Sequence, residues 1–191
     1  MLFMLNHWTA RVFEQAGYRV NVKDGETKTK MITSAAVFTT LMRMPQGKEL
    51  YSPAPSAGVA HNILVNQLGL SYDKARHYID SLDIPLYGSG GQTALENRLT
   101  PGVKAALKKA ARHSKSWYRR HFKWLREQDK KGLRKLKLRD EDLKRPDNYI
   151  RSESVLYGLV VVYDKDLEAL FKEFKLSRKV VLETLRSNRR L

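Results

Sequence analysis

Two acids and a lysine lie close together near the start of the chain, at Asp24, Glu26 and Lys28. Carboxylates of this kind could hold Mg²⁺, and the lysine could orient a water for hydrolysis of a phosphodiester. Glu14, on the preceding predicted helix, could complete the set. Such a site needs its acids on separate strands, whereas Asp24-Gly25 is a strong signal for a two-residue hairpin turn. The turn accounts for these residues, so hydrolysis is the weakest function considered.

Other side chains that could do chemistry are present but not grouped. The five histidines have no pair at the spacing of metal ligands, and they are His7, His61, His77, His113 and His121. The absence of cysteine excludes disulfides and cysteine-ligated zinc. The glycines at 88–91 lack the lysine and the strand-to-helix setting of a phosphate-binding loop. We therefore expect a protein that is not an enzyme and that uses no cofactor or metal.

The charge of the chain is high and unevenly distributed. The formal net charge is +16 and the sequence pI is about 10.1. Residues 1–100 contain ten Lys/Arg and eight Asp/Glu, a net of +2, which leaves +14 for residues 101–191. An excess of this size favours a polyanionic partner, most commonly nucleic acid. No run approaches the roughly 18 apolar residues of a membrane span, so we expect no membrane association and a cytoplasmic protein.

One helix-turn-helix pattern occurs twice, in Ile63–Leu82 and Ala169–Asn188. Each copy has an apolar-faced helix, a short break, and then a serine, Ser71 or Ser177, that can cap a second apolar-faced helix. These copies are called the first and second repeat below. In helix-turn-helix proteins the second helix enters the DNA major groove, so the repeats indicate nucleic-acid binding.

A wing is predicted after the first repeat. Two short strands, Ile84–Tyr87 and Leu95–Thr100, flank a glycine-rich tip at residues 88–92, and Thr100-Pro101 is suited to begin the next helix.

Residues 57–112 resemble a winged helix-turn-helix domain, and the segment Asn97 to Gly102 is similar to the wing-to-helix junction of MarR-like regulators. The resemblance implies that the helix after the turn reads the major groove and that a basic wing reaches the minor groove. The residues implicated in this way are Ser71, Tyr72, Lys74, Arg76, His77, Gln92 and Arg98. The tip from Gly88 to Ala94 departs from that pattern because it contains no lysine or arginine.

Two further groups of residues are candidate DNA contacts. The second repeat is the more cationic one, and its candidates are Ser177, Arg178, Lys179, Arg186, Arg189 and Arg190. The first repeat carries Asp73, Asp80 and Asp83, so it could instead bind a protein such as RNA polymerase. In the basic segment between the repeats, the expected phosphate contacts are Lys115, Arg119, Arg120, Lys123 and Arg126. Its aromatic residues could stack on unpaired bases or pack in a core, and they are Trp117, Tyr118, Phe122 and Trp124.

Taken together, the sequence predicts a mainly α fold with small β-hairpins. The expected parts are an N-terminal helix and hairpin (1–31), a winged-helix domain (32–112), a basic helical connector (113–147) and a C-terminal tri-helical, helix-turn-helix-like domain (148–191). The expected function is non-enzymatic binding of double-stranded DNA by two linked modules. It would serve transcription regulation or another site-specific transaction, such as replication initiation or packaging, in a phage or mobile element. The alternatives are an RNA-binding or ribosome-associated protein and a Mg²⁺-dependent nuclease.

Overall fold

The fold is mainly helical. The computed structural model describes residues 7–17, 19–21, 27–43, 59–84, 86–87, 95–130 and 150–188. The N-terminal elements are α1 (His7–Ala16), β1 (Arg19–Asn21), β2 (Thr27–Lys30), α2 (Ser34–Leu41) and α3 (Val59–His61), which continues as a π-helical stretch at Asn62–Gln67. After these come α4 (Tyr72–Ser81), β3 (Leu86–Tyr87), α5 (Leu95–Arg98), α6 (Pro101–Lys130), α7 (Ser152–Val162), α8 (Lys165–Glu173) and α9 (Arg178–Ser187).

Several helices begin where a side chain satisfies the unpaired N–H groups of the first turn. The Ala36 N–H donates to Thr33 Oγ1 at 3.2 Å before α2, and the Leu167 N–H donates to Asp164 Oδ1 at 3.1 Å before α8. The predicted starts at Thr33-Ser34 and Asp164 are therefore confirmed. Helix α6 begins at Pro101 as expected.

The strands form a small sheet in the order β1-β2-β3, with antiparallel pairs throughout. Thr29 pairs with Arg19 on one side and with Tyr87 on the other. The second wing strand predicted at Leu95–Thr100 is wrong, because Leu95–Arg98 is a helical turn. Only buried Leu99 pairs in a strand-like way, through a parallel bridge to Ile32. The apolar Leu99 and its bridge to Ile32 account for the strand-like pattern of this segment.

Helix α7 is the centre of the fold. Eight of its eleven residues are buried, from Ser152 to Val160, and a helix buried on all faces must be covered by neighbours on all sides. It runs antiparallel to α6, since Ser114 lies beside Arg151 and Ala106 lies beside Gly158. A Cβ on Gly158 would overlap the Ala106 carbonyl oxygen, so the absence of a side chain there permits the close approach of the two helices.

Both repeats contribute to one hydrophobic core. Ile63 and Ile79 of the first repeat belong to the same cluster of buried side chains as Leu170 and Val181 of the second. The predicted boundary between residues 112 and 113 falls inside α6, whose inner face is continuous from Val103 to Ser114. The predicted division into winged-helix, connector and C-terminal domains therefore places one of its boundaries within a continuous helix. A strongly basic composition made the connector look like a separate segment. Its first residues, however, belong to α6, whose outer face is basic and whose inner face lies in the core.

Candidate nucleic-acid interface

The turns and the second helices of the two repeats have the same local geometry. Gly69 and Lys175 occupy equivalent positions in the turns, and both have left-handed backbone, with φ of +67° and +50° respectively. Ser71 and Ser177 then stand at the N-cap positions of α4 and α9. The inward residues also correspond, because Ala75 and Ile79 are buried on α4 where Val181 and Leu185 are buried on α9. The repeat is thus a structural one as well as a sequence pattern.

The repeats dock on each other reciprocally. The end of the first helix of the first repeat meets the end of α9 through side-chain hydrogen bonds between Gln67 and Asn188. Conversely, Tyr78 of α4 packs edge-on against Phe174 at the end of α8, with ring centroids 6.5 Å apart. Each second helix therefore lies against the first helix of the other repeat.

The candidate residues of the first repeat form a surface with no excess of positive charge. Ser71 accepts a hydrogen bond from the Lys74 N–H at 3.4 Å, and half-buried Tyr72 packs on the core. Lys74 and His77 are exposed, but Arg76 forms an ion pair with Asp80 at 2.9 Å. The two bases of α4 are balanced by Asp73 and Asp80. This helix would therefore contribute little electrostatic attraction to phosphates.

In the second repeat, two of the candidate cations are engaged within the protein. An Arg178 Nη2 donates to the Val161 carbonyl oxygen at 2.8 Å, and the guanidinium lies 5.2 Å from the centre of the Tyr163 ring. Lys179 lies 3.9 Å from Glu183 across one helical turn. Ser177 occupies its cap position without a side-chain cap hydrogen bond, and Arg186 is exposed. Sequence alone did not show that Arg178 holds the start of α9 against the end of α7.

Of the two predicted wing contacts, Gln92 and Arg98, the structure describes Arg98. It lies where Ile32 and Leu99 form their bridge. Its carbonyl oxygen accepts from the Ile32 N–H at 2.8 Å, which fixes the bridge beside Leu99. Its Nε is buried without a hydrogen-bond partner among the described residues. This position does not resemble that of a wing side chain extended toward DNA.

Among the described residues, the outer face of α6 carries the strongest concentration of positive charge. Residues 101–126 contain nine lysines and arginines and no acid. Six exposed bases recur at intervals of four, four, three, four and four residues, and they are Lys104, Lys108, Arg112, Lys115, Arg119 and Lys123. These six residues are called the α6 ridge. At about 100° and 1.5 Å per residue, they occupy an arc of about 100° and a length of about 28 Å.

The ridge lies opposite the face that α6 packs on α7. The inward residues Val103, Ala106, Leu107 and Ala110 are buried, and their mean direction is about 160° from that of the ridge. No ion pair among the described residues involves a ridge base. Exposed Lys109 and Arg120 widen the positive face on one side, and Arg120 Nε also donates to the Ser116 carbonyl oxygen at 3.3 Å.

The ridge therefore contains three of the expected phosphate contacts, Lys115, Arg119 and Lys123. The sequence-based site missed its first half, Lys104 to Arg112, because the assumed domain boundary separated the two halves. The spacing of three or four residues continues across that boundary, and this periodicity was the signal that could have joined them.

Polar contacts anchor the middle of α6 to the start of α7. The Arg151 N–H donates to Ser114 Oγ at 3.3 Å, and His113 Nδ1 lies 2.9 Å from Ser154 Oγ. The His113 ring also stacks on Tyr157, with centroids 4.3 Å apart. Nearby, the Arg151 guanidinium and the Glu153 carboxylate form an ion pair at 2.6 Å. Burial raises the pKa of Glu153 above its ordinary value, and Arg151 offsets only part of this shift.

Some of the predicted site residues lie outside the described part of the chain. This applies to Asp24, Glu26, Gln92, Arg189 and Arg190, and to residues 131–149 of the basic segment. The backbone of α6 is described through Lys130. The side chains of Arg126 and of the four aromatic residues considered for base stacking are outside the description, as is that of Lys28.

Other kinds of site have little support in the described residues. Within them, no three His, Asp or Glu side chains come together as a metal site. A void between the turns of the two repeats, beside Phe38 and Leu176, has only about 10 Å³ of space, which is about the size of one water. None of the described helices is both long enough and apolar enough to cross a bilayer.

Neither the protein-family models nor the curated proteins give a match to this chain.

Proposed function

We propose that this protein is a non-enzymatic, double-stranded DNA-binding protein, and that the α6 ridge is its main contact with the phosphate backbone. The observation that carries the proposal is the row of six exposed bases, held on one face of a packed helix with no ion-pair partner among the described residues. Lysine and arginine that are free of internal partners can neutralise phosphates and release condensed counterions.

Rigidity supports a duplex as the ligand. The first half of the ridge is on a stretch of α6 that packs closely on α7, where Gly158 meets Ala106 and Ala110. A row of charged residues whose backbone is already ordered loses no further backbone entropy when it meets a stiff polyanion, and duplex DNA is stiff over about 150 base pairs. The second candidate, an RNA-binding protein, would rely on the aromatic residues of α6, whose side chains lie outside the described part of the chain.

The mechanism differs from two modules joined by a tether. Because both repeats share one core, binding of one cannot raise the effective concentration of an independently moving second module. In the proposal the repeats and α7 form the scaffold that holds α6 in place. Transcription regulation, replication initiation and packaging all remain roles that such a duplex-binding protein could serve, as does a contact between the first repeat and RNA polymerase.

The proposal is tested by removing equal charge from two surfaces. The ridge variant carries Lys104→Gln, Lys108→Gln, Lys115→Gln and Lys123→Gln. The control variant carries Lys165→Gln, Lys172→Gln, Lys175→Gln and Lys179→Gln, all exposed on α8, on the turn after it or on α9. Fluorescence anisotropy with a 20-base-pair duplex should show a loss of at least tenfold in affinity for the ridge variant and a much smaller loss for the control. Equal losses in the two variants would contradict the proposal, because affinity would then depend on net charge and not on the position of the α6 ridge.

Two further measurements separate the alternatives. A single-stranded RNA that displaces the duplex at lower concentration than an unlabelled duplex would favour the RNA-binding function. Cleavage of the duplex in Mg²⁺, lost on Glu26→Ala, would establish the nuclease.

A further inference from the structure

We infer that this protein recognises duplex DNA by its backbone, over about eight base pairs and without selecting a base sequence, and that neither repeat reads base edges. This inference rests on the proposed function. It assigns recognition to the α6 ridge and a supporting role to the second helices of both repeats.

The first argument is the composition of the ridge face. Base-edge readout commonly combines arginine or lysine with asparagine, glutamine and acidic side chains, whose hydrogen-bonding groups together match a particular sequence. Four of the six ridge residues are lysines, which act as mobile point charges on flexible stems. Across the same arc from Pro101 to Lys123, the other positions are held by Pro101, Ala105 and Phe122. Such a face matches a regular array of phosphates better than a specific sequence.

The second argument is that the usual reading positions are compromised in both repeats. On α4, Arg76 is paired with Asp80, and Asp73 is exposed in the first turn, where it would repel phosphates. On α9, Arg178 is bound to Val161 and covers Tyr163. Moving this guanidinium to a base would cost a hydrogen bond and a cation–π contact at the joint between α7 and α9.

The third argument is dimensional. A ridge of about 28 Å corresponds to about eight base pairs at 3.4 Å each. Six neutralised phosphates would give a slope of log Kd against log salt of about 5 in magnitude. Site-specific proteins usually bind their target at least about a thousandfold more tightly than unrelated DNA, whereas backbone contact alone predicts a spread of only a few fold among sequences.

The inference is tested with the full chain in two experiments. In the first, duplexes selected from a random 20-base-pair library are compared with unselected ones. We expect affinities within about threefold of each other, and no change in their ranking for the double variant Lys179→Ala, Arg186→Ala. A preferred sequence bound a hundredfold more tightly, with that preference removed by the double variant, would overturn the inference by identifying α9 as a reader.

In the second experiment, duplexes of 6, 8, 12 and 16 base pairs are compared at constant salt. Affinity should rise steeply up to about eight base pairs and then increase only in proportion to the number of overlapping positions. A steep rise that continues from 12 to 16 base pairs would contradict the footprint. These failures are distinct from failure of the proposed function, which would appear as no ridge-dependent binding to any duplex. Circular dichroism confirms that each variant retains its helical content.

Discussion

Gln67 and Asn188 exchange two side-chain hydrogen bonds, although they are 121 positions apart in the chain. Gln67 Nε2 donates to Asn188 Oδ1 at 3.1 Å, and Asn188 Nδ2 donates to Gln67 Oε1 at 2.8 Å. The pair joins the first helix of the first repeat to the second helix of the second repeat. It is the polar counterpart of the packing of Tyr78 on Phe174, which makes the reciprocal connection.

This pair predicts a measurable coupling between the repeats. Gln67→Ala and Asn188→Ala should each lower the free energy of unfolding by about 0.5–1.5 kcal/mol, and the double variant should lose less than the sum. Urea denaturation of the four proteins gives the coupling energy, which we expect to be at least about 0.5 kcal/mol. Strict additivity of the single effects would mean that the repeats do not meet at these residues.

Gly69 and Lys175 occupy equivalent left-handed positions in the two turns. Removing a glycine at one and introducing a glycine at the other should therefore have opposite effects on stability. Gly69→Ala should destabilise the protein by about 1 kcal/mol, because a Cβ is strained in left-handed backbone even though no atom lies within 4 Å of its place. Lys175→Gly should be neutral or stabilising, since relief of strain offsets the greater freedom of the unfolded chain. Thermal unfolding of both variants checks this. Destabilisation of about 1 kcal/mol by Lys175→Gly would contradict the equivalence of the two turns.

The contact between α6 and α7 predicts that Gly158→Ala destabilises the fold. In an exposed helix this change would stabilise by up to about 1 kcal/mol. Here the new methyl group would overlap the Ala106 carbonyl oxygen, which belongs to the backbone and cannot move aside alone. We expect a loss of about 1–3 kcal/mol in urea denaturation. A stabilised variant would show that the helices are farther apart than described.

The buried Glu153 predicts a specific dependence of stability on pH. Its pKa in the folded protein is raised above 4.5, chiefly by burial, so the folded state binds this proton more tightly than the unfolded state. The resulting stabilisation is complete below pH 4.5 and is lost as pH rises from 4.5 through the folded pKa. The variant Glu153→Gln has no carboxyl group to titrate at this position, so it lacks this pH dependence.

The measurement is the unfolding free energy of the native protein minus that of Glu153→Gln, determined from pH 4 to 7. Taking this difference removes the contributions of the other acids. The difference should fall with increasing pH, and a difference that rises with pH would show that the ion pair with Arg151 outweighs the burial.

Local patterns predicted much of the secondary structure. The starts of α2, α6 and α8 follow from Thr33, Pro101 and Asp164, because capping and proline preferences act within one turn of the chain. The correspondence of the repeats also survived, down to the left-handed residues in both turns.

What the sequence did not predict depends on distant contacts. The role of Arg178 requires that the end of α7 lie beside α9, and no local pattern reports that proximity. Leu99 was assigned to a wing strand because its segment follows a glycine-rich tip, yet it pairs with Ile32 and follows a helical turn. The extent of the ridge was missed because composition marked a domain boundary where the inward face of α6 in fact continues from Ala110 to Ser114.

The central claim is that positive charge acts from the α6 ridge, and the most direct measurement is the salt dependence of duplex binding. We expect a slope of log Kd against log salt of about 5 in magnitude for the native protein. Lys104→Gln, Lys108→Gln, Lys115→Gln and Lys123→Gln together should reduce it by about 3 to 4, while the matched control variant on α8 and α9 should retain most of it. An unchanged slope in the ridge variant would contradict the account.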